Sequence, residues 1–587
     1  MPTGPLDIVA LLLSSVILSV AADLYGLEAL AALVALAAAR YWKSFPDSAF
    51  ERVEAAGAKL ASGGVRAVLI AGAGVVVLRL CLLPVLPVPR PYLADEFSHL
   101  FLADTLLHGR LANPAHPMWK SFETFHIIQQ PTYSSMYFPG AAIWLAAGKL
   151  LFGHPWAGVL ISMGVLCGAI CWAMQGWMPA RWAFLGAVLA ALRFGLVSYW
   201  INSYWGGAVT ALGGVLVLGA IPRLEKEVRP RTSLIFALGL LLMMSTRPFE
   251  GLILSIPLAV RLGFWIFGHQ GPPLKAVVLK LVMPVAACLA IGVCSLGYYF
   301  KQVTGSPTLL PYAVNQKAYG WPMTLPWMEV QHHFPAIPDL RDYYIYELRQ
   351  RIYHTVPELL AAAIAIKAQY TWRFYLGPVL TIPLFSIRKW IRNRRIRTLL
   401  VTGGFMLAIT TAVPNFPHYL SPMTLVFVAA AVMGIRHFRH YYVRGVPVGR
   451  RFTQLVPIVL VFCIAVRIIA GTFQLPVQFL TEGYSLTSWC CSDRTGVDQD
   501  RVEAQLPAAG KQLILVRYRP RHLFIDQWIY NEADIDASRV VWAREFRNEQ
   551  DSRLIQYFHD RKVWLFEPDL SPPRLTPYHG VSTSMNP

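Results

Sequence analysis

The chain has 587 residues, of which 55% are hydrophobic and 14% charged, and its mean hydropathy is +0.45. Soluble proteins carry about 25% charged residues, so the composition excludes an ordinary soluble domain and predicts a polytopic membrane protein. The net charge of +19 invites a nucleic-acid reading, but basic residues that orient a membrane bundle account for it, and no nucleic-acid partner is expected.

A spanning helix needs about 20 mostly apolar residues. Along the chain such runs fall at roughly 6–22, 27–42, 65–87, 157–178, 182–199, 204–222, 232–247, 250–268, 275–298, 372–388, 398–414, 420–436 and 453–471. Ser19 to Asp23 resembles a signal-peptide cleavage site, but no basic stretch precedes it, so the first run reads as a retained helix. The fold expected is an all-α polytopic membrane bundle of about 11–13 transmembrane helices. Residues 1–64 form a helical hairpin with an amphipathic segment, 65–471 the transmembrane domain, and 472–587 a small α/β domain.

Three basic clusters orient this bundle. They are Arg223, Lys226, Arg229 and Arg231; Arg388 to Arg397; and Arg436 to Arg451. All three fall on one side of the predicted topology, which makes that side cytoplasmic. The large loops 88–156 and 299–371 and the tail then lie on the other side. In the tail, Leu513 to Val516, Val540 to Trp542 and Val563 to Phe566 read as strands, and Gln550 to Asp560 as a helix. Cys81, Cys167, Cys171, Cys288, Cys294 and Cys463 sit in apolar runs as small packing residues. Cys490-Cys491 lies outside them, and no metal-ligand spacing appears.

Acids are scarce here, so Asp95-Glu96, directly after the run 65–87, is the natural place for chemistry. Partial burial at a membrane boundary would make a carboxylate a better base. Asp95 and His99 stand at i,i+4 and could touch. The following stretch holds Asp104, His116, Trp119, Glu123, His126 and Tyr133, a mixture suited to binding sugars, with rings for stacking and polar groups for hydroxyls. Asp, His and Glu could equally ligate a divalent cation. Ser198 to Gly207 is too polar for a lipid-facing turn and offers Asn202, Tyr204 and the glycine pair Gly206-Gly207. Arg247, before Pro248, could meet a phosphate or pair with Glu250. Lys301 and His418 are candidates of the same kind, whereas His332-His333 reads as loop surface.

An Asp-Glu pair opening a first large external loop resembles the GT-C glycosyltransferases, membrane enzymes that use polyprenyl-phosphate sugars. Protein O-mannosyltransferases carry such a pair, and the bacterial aminoarabinose transferases of lipid A an acid in the same place. The resemblance covers roughly residues 65–470, mostly as topology. Its sharp part is Asp95-Glu96 with Asp104, Gly109-Arg110 and Asn113-Pro114. It implies a catalytic base at Asp95 and a polyprenyl-phosphate monosaccharide donor, no required cofactor, and an interfacial helix from Tyr137 to Phe152. A second acid of the aminoarabinose transferases has no counterpart near Asn202, and the Trp-Trp-Asp motif of oligosaccharyltransferases is absent.

The function expected is inverting sugar transfer to a hydroxyl of a protein, lipid or glycan on the extracytoplasmic side of a bacterial inner membrane. Asp95 and Glu96 would serve catalysis, with Arg247 and Lys301 on the donor phosphate. His99, Asp104, Trp119, His126, Tyr133, Asn202, Tyr204 and His418 would contact sugar or acceptor. A lipid-linked glycan polymerase or ligase, or a transporter or flippase, is the alternative. Charges at the bilayer midplane and internal repeats would mark a transporter, and neither is evident.

Overall fold

A computed structural model describes residues 24–269, 271–319, 335–410, 416–472, 498–520 and 522–578. The predicted span 6–22, His332-His333 and Cys490-Cys491 lie outside the described residues. The chain divides into two compact units. The first comprises Met1–Pro89, Trp156–Val293 and Ile352–Cys491; the second comprises Arg90–Pro155, Cys294–Arg351 and Ser492–Pro587. Most of the predicted external loop 88–156, and the predicted loop 299–371 as far as Arg351, thus group with the tail by contact, whereas residues 352–371 belong to the first unit.

The described residues are mostly helical. Among the described residues, six helices have the length and apolarity to cross a membrane: Trp156–Trp177, Ala208–Lys226, Pro248–Ile266, Leu274–Thr304, Pro417–Phe438 and Val448–Ile469. Asp47–Ala61 and Val65–Cys81, bent by 113°, would together make a seventh. Among the described residues, other predicted spans are shorter or broken helices, among them Leu24–Tyr41, Pro230–Met244 and Arg394–Ile409. The run 182–199 is helical over Ala180–Ala190 and then widens into a π turn, Ala191–Gly195. The run 372–388 is interrupted. One helix ends at Tyr375 and the next starts at Gly377, whose φ is +61°. A Cβ at Gly377 would lie 2.2 Å from Arg193 Nη2. Average hydropathy counts these residues as one span, but a left-handed glycine before Pro378 stops a helix.

Close helix crossings in this unit rest on small residues. Gly164 and Gly168, one turn apart on Trp156–Trp177, meet Gly72 of Val65–Cys81. A Cβ at Gly72 would sit 2.8 Å from the Gly164 carbonyl oxygen, and one at Gly168 3.0 Å from that of Val68. Where lipid tails are as apolar as the helices, such backbone approach supplies the packing that holds helices together.

The second unit is built on two small sheets. β1 (Asn113–Pro114), β2 (Ile127–Ile128) and β3 (Thr132–Ser135) pair antiparallel in the order β1-β3-β2. The tail forms β4 (Gln512–Val516), β5 (Val540–Arg544), β6 (Lys562–Glu567) and β7 (Arg574–Pro577), ordered β5-β4-β6-β7. β4 runs parallel to β5 and β6, and β7 closes antiparallel on β6. The helix Glu549–Tyr557 makes the crossover from β5 to β6, the two parallel strands that flank β4. Leu513, Ile514, Leu515 and Val516 are all buried, as expected of a strand covered on both faces.

Among the contacts that bind the tail to the rest of its unit, two are prominent. Tyr530 stacks on Phe97 of the helix Ala94–Leu107, with centroids 4.1 Å apart and planes 3° from parallel. Arg544, at the end of β5, donates to both oxygens of Asp339 at 2.7 and 2.8 Å, and Gln527 donates to the same carboxylate at 2.5 Å. Asp339 opens the helix Pro338–Thr355.

Candidate active site

Asp95 and Glu96 occupy the first turn of Ala94–Leu107, where carboxylates meet the positive end of the helix dipole. Their fates differ. Glu96 is 1% exposed, and its Oε1 turns back to accept from the amides of Tyr92 and Leu93, both at 3.3 Å. That is the helix-capping use of an acid at this position. The Asp95 side chain is 27% exposed.

Ser98 explains why Asp95 meets the residues it does. It lies one turn on, at i,i+3, and so shares a face with Asp95. Its hydroxyl donates to the His126 carbonyl and contacts Ser135 Oγ, both at 2.7 Å. Ser135 ends β3 opposite Ile127 of β2, and His126 directly precedes β2. The helix is thereby fixed to the hairpin, and the residues flanking the paired strands, His126 and Tyr137, come to Asp95.

The Tyr137 hydroxyl donates to Asp95 Oδ1 at 2.5 Å and lies 3.2 Å from His126 Nδ1. His126 Nδ1 is 3.7 Å from Asp95 Oδ2. On the far side of the ring, Nε2 is 3.2 Å from the hydroxyl of Tyr343, on the helix Pro338–Thr355. His126 is buried, and burial pushes its pKa down while the Asp95 charge opposes that shift. Burial, seconded by the same charge, holds the Tyr137 hydroxyl well above its ordinary pKa. A neutral imidazole has one proton. With the Tyr137 proton committed to Asp95, the tautomer that satisfies every contact carries it on Nδ1. The hydrogen bonds then run from Tyr343 to His126, from His126 to Tyr137 and from Tyr137 to Asp95. His126 adopts φ +60°, a left-handed backbone uncommon outside glycine and often found at functional positions.

Aromatic rings surround this chain. His99 stacks on Tyr137 at 4.4 Å. Tyr312, on the helix Pro311–Tyr319, meets Tyr137 edge-on at 5.7 Å. The Tyr299 hydroxyl donates to the Tyr137 carbonyl at 2.9 Å.

The other sequence candidates have partners of their own within each unit. Asp104 accepts from the Ala533 amide at 2.9 Å and lies 3.8 Å from Lys149 Nζ. Tyr133 is buried against Phe101. Trp119, half-buried, has Lys120 Nζ 5.8 Å from its ring centroid, and Lys301 is exposed. In the first unit, Asn202 accepts from Arg79 at 2.8 and 3.1 Å, and the Tyr204 hydroxyl donates to the Pro89 carbonyl at 2.8 Å. Gly206 and Gly207 make room for Trp200: a Cβ at either would lie 2.5–2.6 Å from its atoms. Arg247 lies 3.6 Å from Glu250 and 4.4 Å from the Tyr419 ring, and His418 Nδ1 bonds the Tyr199 hydroxyl at 2.9 Å. Among the described residues, no three His, Cys, Asp or Glu side chains converge as a group able to hold a metal ion.

No family model matches the chain, and no curated protein matches it. Several solved structures are similar to it. ArnT from Cupriavidus metallidurans bound to undecaprenyl phosphate has a TM-score of 0.47 and 12% identity, over 84% of this chain and 92% of that one. The Archaeoglobus fulgidus oligosaccharyltransferase in its apo form has a TM-score of 0.44 and 13% identity, over 86% and 69%. The oligosaccharyltransferase AglB from Archaeoglobus fulgidus, in complex with an inhibitory peptide and a dolichol-phosphate, has a TM-score of 0.41 and 10% identity, over 84% and 69%. All are GT-C enzymes. At these scores the likeness assigns no residue a role.

Proposed function

We propose that this protein is an inverting membrane glycosyltransferase that moves a sugar from a polyprenyl-phosphate donor to an acceptor hydroxyl, with Asp95 as general base. The observation that carries this reading is the state of the Asp95 carboxylate. One oxygen is fixed by Tyr137 at 2.5 Å, in a side chain 27% exposed and bordered by histidine and tyrosine rings. A base must be held in one orientation yet reachable by its substrate. Hydrogen bonding at Oδ1 supplies the orientation and leaves Oδ2 for the acceptor proton.

The chemistry balances without an oxidant or reductant. The acceptor oxygen attacks the anomeric carbon as its proton passes to Asp95 Oδ2. The bond from that carbon to the phosphate oxygen breaks, and its electron pair leaves with the polyprenyl phosphate. Charge on that phosphate calls for a cation, and Arg247 and Lys301 are the candidates the sequence offers. His99, Tyr137 and Tyr312 supply ring faces and edges on which a sugar can rest. The capping geometry of Glu96 favours a structural role for it, in support of the turn that presents Asp95.

The test compares Asp95→Asn with wild type in cells lacking the gene. Glycans and glycoproteins are read by mass spectrometry and stability by thermal unfolding. The variant is expected to lose transfer by about 10²–10⁴-fold at an unchanged melting temperature. Near-wild-type transfer would remove Asp95 from the role of base.

A further inference from the structure

Within the first unit, a cavity of about 810 Å³ lies between the C-terminal half of Pro248–Ile266 and the N-terminal half of Arg394–Ile409. It is separate from Arg247, which stands about 20 Å away along the helix axis from Arg261. Three arginines line it: Arg261, Arg394 and Arg397. Arg261 has its counter-charge in place, with Nε 2.7 Å from Glu225 Oε1 and Nη2 2.9 Å from Oε2, and it donates to Thr398 Oγ1 at 2.7 Å. Arg394 and Arg397 are exposed and pair with no carboxylate among the described residues. Two positive charges therefore border the cavity, at a helix start whose amides add to them.

The rest of the wall is apolar. Val260 and Phe264, one turn apart, are 55% and 79% exposed, and Val401 across the cavity is 60% exposed. Pro248–Ile266 is long and apolar enough to cross a bilayer, and exposed apolar side chains on such a helix and on the one beside it meet acyl chains. A soluble phosphate would engage the arginines and leave this wall unused. A zwitterionic lipid would cover the wall and leave the arginine charges unbalanced. Guanidinium groups match phosphate oxygens in geometry, and an anionic phospholipid satisfies both surfaces at once.

We propose that this cavity is a binding site for an anionic phospholipid, its phosphate on Arg394 and Arg397 and its chains along Val260, Phe264 and Val401. The site is independent of the transfer reaction. Native mass spectrometry of the full-length protein in detergent tests it, with phosphatidylglycerol or phosphatidylcholine as probe. Wild type is expected to retain phosphatidylglycerol in preference to phosphatidylcholine. The R394A/R397A double variant should weaken that retention at least tenfold, while R388A/R392A, which removes equal charge from exposed neighbours outside the cavity, leaves it unchanged. Equal retention of the two lipids, equal loss in both double variants, or displacement of the lipid by inorganic phosphate would overturn the assignment.

Discussion

At the scale of single residues, the candidate site turns on how one hydroxyl spends its proton. Tyr137 stays protonated because burial and the Asp95 charge both oppose its ionisation, so it is a permanent donor to the carboxylate. A hydrogen bond to a charged group is worth about 1.5–3 kcal/mol. Tyr137→Phe should therefore slow transfer by about tenfold to a hundredfold, chiefly in kcat, a smaller loss than Asp95→Asn causes. A variant as fast as wild type would show that Asp95 needs no such positioning. The histidines add a pH dependence. Burial lowers the pKa of both His116 and His126 from an ordinary 6.5. Between the lowered folded value and 6.5 the unfolded chain binds more protons, so stability falls as pH drops through that window. It is fully present above 6.5. Thermal unfolding from pH 7.5 to 5 should give a declining melting temperature, with a shallower decline in His126→Gln; equal slopes would exclude His126 as a contributor. Asp95 was legible in the sequence because a carboxylate beside a span is conspicuous in an apolar chain. Tyr137 and Tyr343 were not, since they reach the site from 42 and 217 residues away from their partners and tyrosine is common in both loops.

At the scale of elements, the tail is a support of the site. Arg544 of β5 grips Asp339, one helical turn before Tyr343, and Phe524 packs 5.8 Å from the Tyr343 ring. Both members of this ion pair are buried, with side chains 7% and 4% exposed. Removing one partner from such a pair costs about 3–5 kcal/mol. Arg544→Ala should thus destabilise the protein by that order in thermal unfolding, with Arg544→Lys recovering part of the loss. No change in either variant would mean that the helix Pro338–Thr355 is held by other contacts. The three strands of the tail and its helix could be read from short apolar runs and helical spacing. Their attachment could not, because an arginine at a strand end looks the same in sequence whether it meets solvent or a carboxylate. The interrupted run 372–388 failed for a related reason: apolarity was correct there, but Gly377 sets the backbone.

At the scale of the whole molecule, composition identified a membrane protein of many helices, and we propose its orientation from the basic clusters. That orientation predicts that single cysteines placed at Arg392 and at Glu549 label from opposite sides of the membrane with an impermeant maleimide. Labelling from one side would overturn it. Among the described residues six helices pass as spans by length and composition, and other predicted runs there are shorter or broken helices. Hydropathy sums residues over a window; it is blind to the kinks and close glycine contacts that decide whether a run continues as one rod.

The grip of Arg544 on Asp339 also bears on the order of biosynthesis. The two residues are 205 positions apart, so a ribosome makes the helix that carries Tyr343 long before it makes the strand that fastens it. Until the distal strand emerges, the nascent chain has its acid but lacks this clamp. A product halted before β5 would enter the bilayer with the surroundings of its candidate site unfinished.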